Sequence, residues 1–435
     1  MRFGLLYELQ LPRPWLEMSE HQLFQDAMSE VEAADRLGYD YVWANEHHFL
    51  EEYSHNSAPE VFLAACAART RRIHVGHGVV LSPPGYNAPA RVAERIATLD
   101  LISSGRVEWG TGQSASRTEL EGFGVDLAQK KAMWAEATEQ TANMLAMNPY
   151  PGFEGRFFSM PCRNVVPKPY QKPHPPIWVA CSSRETIHAA ARAGIGALAF
   201  AFIDPTEAAH WATEYYDIIK SEECVPIGHA VNANIAMVTG FSCHHDEAEA
   251  KARGLEAFQF FGYALGHFYA YGQHKPGVTD IWERFQLARA HLPKVAEGNG
   301  IGTPAQLLER MRKYEEAGVD QVIFIQQAGR NKHEHIIDSL ELFSKEVMPE
   351  LKKDQAARDA AKAANLAPYI AAALARKKWM APLEADAVPV VLAYGRSVVA
   401  SDAVLEKDKF NRGPAAGFEV PKIDLAEAAV AVGDD

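Results

Sequence analysis

Two adjacent imidazoles, His47 and His48, follow Glu46 and precede Phe49, Leu50, Glu51, Glu52 and Tyr53, so one abrupt turn gathers two titratable rings and several carboxylates. A histidine titrates at about 6.5 when unperturbed, which lets it give and take protons near neutrality. The residues before the turn, Tyr41, Val42, Trp43, Ala44 and Asn45, make a short apolar run with the signature of a strand. Successive side chains of a strand point to opposite faces, so both rings can face one pocket only if the strand has already ended; otherwise one of them is structural. Further segments of unusual chemistry are Gly76-His77-Gly78, Gly110-Thr111-Gly112-Gln113-Ser114, Cys181-Ser182-Ser183-Arg184 and an aromatic stretch over 258–271. His244-His245 and His333-Glu334-His335 are close pairs, but neither has the spacing that puts two metal ligands on one helical face, and no metal is expected.

These segments need elements to position them, and the chain supplies strands alternating with helices. Strands are expected over 2–8, 40–45, 73–81, 106–109, 177–180, 196–202, 233–239 and 321–326. Helices are expected over 19–37, 60–70, 89–103, 127–147, 183–193, 205–221, from about 246, over 303–317 and over 332–348. Ser19 with Gln22 reads as a capping box, Gly38 and Gly105 as stops, and Pro59, Pro89, Pro205 and Pro304 as first-turn prolines. The 110–126 stretch reads as a Gly/Ser loop and 148–176 as a Pro-rich segment too long for a simple connection. Eight strands alternating with helices predict a closed parallel α/β barrel of the TIM (β/α)8 type, with a doubly wound open sheet as the alternative. In such a barrel the loops after the strands share one face, and the Glu46–Phe49, Gly110–Ser114 and Cys181–Arg184 segments meet there with the third strand. The barrel is expected to fill 1–351. Residues 352–435 then form a C-terminal extension, partly helical or partly disordered, with 366–380 apolar enough to wrap a neighbouring subunit or close the barrel mouth.

Composition narrows the functional classes. A formal net charge of −13 argues against nucleic acid, whose phosphates need a basic surface. No apolar run nears the ~20 residues that span a bilayer, and no signal peptide is expected at the start of the chain, so a membrane partner is not expected either. The five cysteines are an odd number and widely spaced, which fits reduced thiols in a cytoplasm.

Three segments in order, Glu46-His47-His48-Phe49, Val75-Gly76-His77-Gly78-Val79-Val80-Leu81 and Ser104-Gly105-Arg106-Val107-Glu108-Trp109-Gly110-Thr111-Gly112, resemble the bacterial luciferase-like, flavin-dependent monooxygenase family. The resemblance implies an FMNH2-dependent monooxygenase that takes reduced FMN in trans from an NAD(P)H-dependent flavin reductase. It would react with O2 through a flavin hydroperoxide to oxygenate a hydrophobic or aromatic small molecule, as a homodimer. It implies His47 as the catalytic residue, with a cis peptide at Gly78-Val79 under the flavin ring. FMN is expected against Gly78, Val79, Gly110, Gly112, Gln113, Ser182, Ser183 and Arg184, and substrate against His48, Phe49, Phe202, Phe261 and Phe268. The 258–271 stretch takes the place of the family's mobile active-site loop. Gln113 stands where luciferase has arginine, which leaves the phosphate without that ion pair. An F420-dependent oxidoreductase that transfers hydride without O2, or a non-catalytic flavin-binding barrel, is the alternative.

Overall fold

The computed structural model describes residues 1–292 and 300–391. The strands are β1 (Arg2–Tyr7), β2 (Tyr41–Asn45), β3 (His74–Leu81), β4 (Val107–Gly112), β5 (Tyr150–Glu154), β6 (Ser159–Arg163), β7 (Ile177–Cys181), β8 (Gly196–Ala199), β9 (Ile235–Cys243), β10 (Gly300–Gly302) and β11 (Gln321–Gln327). Eight of them close a parallel barrel in the order β1-β2-β3-β4-β7-β8-β9-β11 and back to β1, with β10 paired to the far end of β9. The closed barrel predicted from the strand count is therefore the fold. β5 and β6 form a separate antiparallel hairpin inside the Pro-rich segment, where the sequence suggested only a long connection.

The period of two along each strand divides the core. Leu5, Val42, Val75, Val107, Ile177, Ala197, Ile235 and Val322 pack outward against the helices, and their neighbours Leu6, Trp43, Trp178, Leu198, Ala236 and Ile323 point into the barrel. Two indoles dominate that interior: Trp43 and Trp178 meet edge to face with centroids 5.4 Å apart. Glycine makes room for them. A Cβ on Gly76 would lie 2.4 Å from the Trp43 ring, and one on Gly196 would lie 2.3 Å from the Trp178 ring.

Helix starts follow their caps where the side chain reaches back. Thr303 and Gln306 form a reciprocal capping box, and Asp204 and Asp246 accept first-turn amides of their helices. Ser19 does not act as expected. The cap is Met18, and the Ser19 hydroxyl accepts instead from the Leu16 amide, tightening the preceding turn.

The compact unit runs to Pro382, past the boundary expected at Leu351. Helix Gln355–Arg376 lies on the end of the barrel where strands begin. Lys362 Nζ reaches Asn234 Oδ1 at 2.7 Å and Asp320 Oδ1 at 2.5 Å, immediately before β9 and β11, and Arg2 of β1 pairs with Asp359 at 2.6 Å. Leu366 and Ala373 are buried on its inner face, and Lys377 follows with Nζ 3.0 Å from the Pro226 and Ile227 carbonyls and from Glu139. The 366–380 stretch thus braces its own barrel, at the end opposite the mouth it was expected to close. From Leu383 a second unit begins, with a helical turn at Ala385–Ala387; the expected extension beyond 391 lies outside the described residues.

Close backbone approach fixes the wall between β3 and β4. A Cβ on Gly110 would lie 2.0 Å from the His77 carbonyl oxygen, which belongs to backbone and cannot swing aside. Gly110→Ala is expected to lower the free energy of unfolding by about 3 kcal/mol in urea titration. Gly262→Ala, in a helix with nothing within 4 Å of the added carbon, is expected to leave it equal or slightly higher.

Candidate active site

β2 ends at Asn45, and the chain then folds back so sharply that Phe49 takes a φ of 65°. Leu9, Ser114 and Phe202, which follow the ends of β1, β4 and β8, also sit at φ 55°, 54° and 52°. A bulky side chain in the left-handed region costs of order 1 kcal/mol or more, and such residues gather where the surroundings dictate a geometry. All four lie on the rim reached by the strands' C-terminal ends.

His47 is buried at this rim between two carboxylates. Its Nδ1 lies 3.1 Å from Glu119 Oε1, and its Nε2 lies 3.5 Å from Glu8 Oε2. Glu119, fully buried in helix Arg117–Gly122, also accepts from the Ser114 hydroxyl at 2.5 Å and the His48 amide at 2.9 Å. Glu8 directly follows β1; its Oε1 accepts from Asn45 Nδ2 at 2.5 Å and from the Tyr53 hydroxyl at 3.2 Å. Burial alone would push the His47 pKa down, but Glu119 and Glu8 outweigh it and raise it to about 9. Burial raises the Glu8 carboxyl above the usual carboxylate range. In Glu119 the same burial is overcome by His47, Ser114 and the His48 amide, which hold it below that range.

His48 turns to other partners. Its Nε2 lies 3.0 Å from Glu46 Oε1, and Glu46 also accepts from the Leu81 amide at 2.8 Å and from Asn87 Nδ2 at 2.9 Å, tying the turn to the end of β3. The His48 and Phe49 rings both pack on Phe123, at 4.8 and 5.3 Å, and Tyr86 joins them at 5.0 Å. On the other side of His47, Tyr53 meets the ring edge to face at 5.4 Å; Phe261 lies 5.6 Å beyond Tyr53 and Phe202 5.8 Å beyond Phe261. Two aromatic patches therefore flank the imidazole. Phe268 shares the buried apolar cluster of Tyr53 and Phe261, and its ring meets His267 and His274. The stretch expected as a loop is helical: helix Glu247–Gly266 runs into a wide turn, His267–Tyr271, whose Tyr269 ring comes within 6.4 Å of His47.

Several buried polar atoms at the rim accept or donate no hydrogen bond within the protein: Asn45 Oδ1, Asn56 Nδ2, Tyr86 Oη and Gln113 Oε1. A buried donor or acceptor left unmatched costs about 1–3 kcal/mol, so a polar-edged planar ligand such as a flavin suits this lining. The glycines contribute differently from expectation. The volume a side chain would need is taken by Asn45 at Gly78 and by Val79 at Gly112, so these positions draw β2, β3 and β4 together and leave only backbone for a cofactor. The Gly78-Val79 bond is trans, since the cis peptides among the described residues all precede proline. What β3 carries at this point is a register shift, with Ala44 opposite His77 but Asn45 opposite Val79.

The residues of the expected phosphate cradle have partners within the protein. The amides of Ser182 and Ser183 both donate to the Thr186 hydroxyl at 3.0 Å, and Arg184 spans Glu207 at 3.3 Å and Glu214 at 3.2 Å. Among the described residues no group of three His, Cys, Asp or Glu side chains could hold a metal ion, and no helix is long and apolar enough to cross a membrane. The five cysteines are free.

A parallel barrel with a buried carboxylate-histidine-carboxylate group at its C-terminal rim defines a class of enzyme-like scaffold. The sequence model of the luciferase-like monooxygenase family matches residues 1–321, and the chain belongs to that family. It is 25% identical over 366 residues to the oxygenase component of the flavin-dependent trigonelline monooxygenase of Acinetobacter baylyi, covering 82% of this chain and 98% of that one. The structure of monooxygenase RslO1 from Streptomyces bottropensis superimposes with a TM-score of 0.66 at 27% identity, over 81% of this chain and all of that one. The coenzyme F420 dependent tetrahydromethanopterin reductase of Methanopyrus kandleri shares the fold, with a TM-score of 0.59 at 20% identity over 80% of this chain and 99% of that one.

The charge of His47 should be visible in stability. With a folded pKa of about 9 against ~6.5 when unfolded, its contribution is fully present below pH 6.5 and is lost as pH rises through 9. Thermal unfolding from pH 6 to 10 should therefore show a decline for the wild-type protein across that window that is absent from His47→Gln; parallel curves would exclude a charged His47.

Proposed function

We propose that the chain is the oxygenase of a two-component flavin-dependent monooxygenase, acting on a hydrophobic or aromatic small molecule. The observation that carries this reading is His47, buried at the rim with a carboxylate at each ring nitrogen, beside unmatched polar atoms of Asn45 and Gln113. Reduced FMN would supply the electrons that activate O2. Asn45, Gln113 and the backbone of Gly78 and Val79 would hold its ring system. His47 handles the proton that such a reaction must deliver to or remove from the reacting atoms. The patches of Phe202 with Phe261 and of Phe123 with Phe49 offer apolar walls on either side of the imidazole.

A separate flavin reductase is part of this reading, because the related trigonelline enzyme is itself named as an oxygenase component. We extend the reading to a homodimer in the cytoplasm, for which the free cysteines suit a reducing compartment.

A second reading, hydride transfer from a deazaflavin such as F420 without O2, is favoured by one feature. Gln113 offers no charge where luciferase has arginine, and Arg184 is already neutralised by Glu207 and Glu214.

Oxygen uptake measured with FMN, a flavin reductase and NAD(P)H, across a panel of aromatic compounds, decides between the two. Substrate-stimulated uptake supports the monooxygenase; turnover with F420 alone and no uptake supports the alternative. Under the first reading His47→Ala retains reduced-FMN binding, followed by anaerobic titration, and lowers product formation by about 10²-fold or more. Unchanged turnover would refute the role given to His47.

A further inference from the structure

The rim contains one carboxylate oxygen whose position asks for a cation. Glu8 is 1% exposed, and while its Oε1 is satisfied by Asn45 and Tyr53, its Oε2 accepts no conventional hydrogen bond and faces His47 Nε2 at 3.5 Å. Glu119 occupies the other ring nitrogen. A neutral imidazole has one donor and one acceptor nitrogen, whereas carboxylates only accept when ionised. Two ionised carboxylates therefore fit the two nitrogens only if both carry protons.

We propose that Glu8 is a positioning residue which, with Glu119, clamps His47 by both ring nitrogens as an imidazolium, so that the proton-transfer group enters the reaction as an acid. This deepens the reading of His47 as the proton-transfer residue and rests on it. The groups facing the ring come from several elements. Glu8 comes from the end of β1 and Asn45 and Glu46 from the end of β2. Tyr53 comes from the short helix Glu51–Tyr53, Ser114 and Glu119 from the segment after β4, and Tyr269 from the turn His267–Tyr271. Glu46 is engaged by His48, Asn87 and the Leu81 amide, and the hydroxyls of Ser114 and Tyr53 donate to Glu119 and Glu8. Lys130 is drawn to the Ser114 carbonyl rather than to the ring. The nearest charges are thus negative. When the ring gives up its Nε2 proton to a reactant, one N–H bond breaks and one bond to the reactant forms. The lone pair left on Nε2 then faces Glu8 Oε2, a repulsion that drives the return of a proton to that pair of atoms from solvent or product.

The experiment follows the titration of His47 itself. Isotope-labelled histidine in the full-length protein is titrated by NMR, the His47 signal being identified by its loss in His47→Asn, for the wild type, Glu8→Gln and Glu8→Asp. Glu8→Gln is expected to lower the His47 pKa by about 1 unit or more, as loss of a neighbouring opposite charge does. Glu8→Asp, which keeps the charge on a shorter arm, is expected to fall between. The alkaline limb of the kcat pH profile should move down with the titration. An unmoved His47 titration in folded Glu8→Gln overturns the proposal, and if that variant does not fold, an unmoved titration in Glu8→Asp does so. A titration that moves while the pH profile stays fixed supports the hold of Glu8 on His47 and sinks instead the reading of His47 as the proton-transfer residue.

Discussion

Burial of three ionisable groups in mutual contact is the constraint on which the site depends. An isolated charge inside a protein is penalised by several kcal/mol, and a carboxylate beside an imidazolium recovers that penalty only when the remaining lone pairs and protons are matched. In this chain Asn45, Tyr53, Ser114 and the His48 amide do the matching. The partners come from the ends of β1 and β2 and from the segment after β4, so the group can form only once those strands are in register. The chemistry of the rim and the closure of the barrel are consequently one cooperative structure.

Beneath the ionisable group the barrel is filled by Trp43 and Trp178, with Trp178 Nε1 donating to Glu108 at 2.7 Å. Trp43 lies on the same strand as Asn45 and points the same way, so the indole sets the floor above which Asn45 reaches Glu8. The glycines of β3 and β4 are explained by these neighbours: Gly76 yields space to Trp43, Gly78 to Asn45 and Gly110 to the His77 carbonyl. A run of glycines next to a flavin motif invites a cofactor explanation, and in this chain much of it is the cost of packing strands around large interior side chains.

The barrel was legible in the sequence because period-two strands, first-turn prolines and stop glycines are local signals, and Thr303-Pro304 or Asp204-Pro205 can be read without knowing any contact. His47 was legible through its neighbours and through resemblance. Glu119 was not, because 72 residues separate it from His47 and its short helix sits in a stretch that reads as a Gly/Ser loop. Glu8 offered one usable signal, a carboxylate at the C-terminal end of a barrel strand, a place where charge is rarely buried without a partner. The partners of Arg184 were hidden for a different reason: a cation at a helix start suggests an anion site, and nothing local in the sequence announces that Glu207 and Glu214 of the next helix pair with it. The hairpin of β5 and β6 stayed hidden because its prolines, Pro151 and Pro161, read as breaks in secondary structure.

Helix Gln355–Arg376 holds the barrel at the end where the strands begin, through Lys362 on Asp320 and Asn234 and through Arg2 on Asp359. The side chains that surround His47 hang from the other end. Such a separation makes the scaffold tolerant of innovation: replacements among Phe49, Phe123, Phe202 and Phe261 can reshape what the rim accepts while the clasp at the base keeps the staves together. A lineage built this way can change its diet without rebuilding its house.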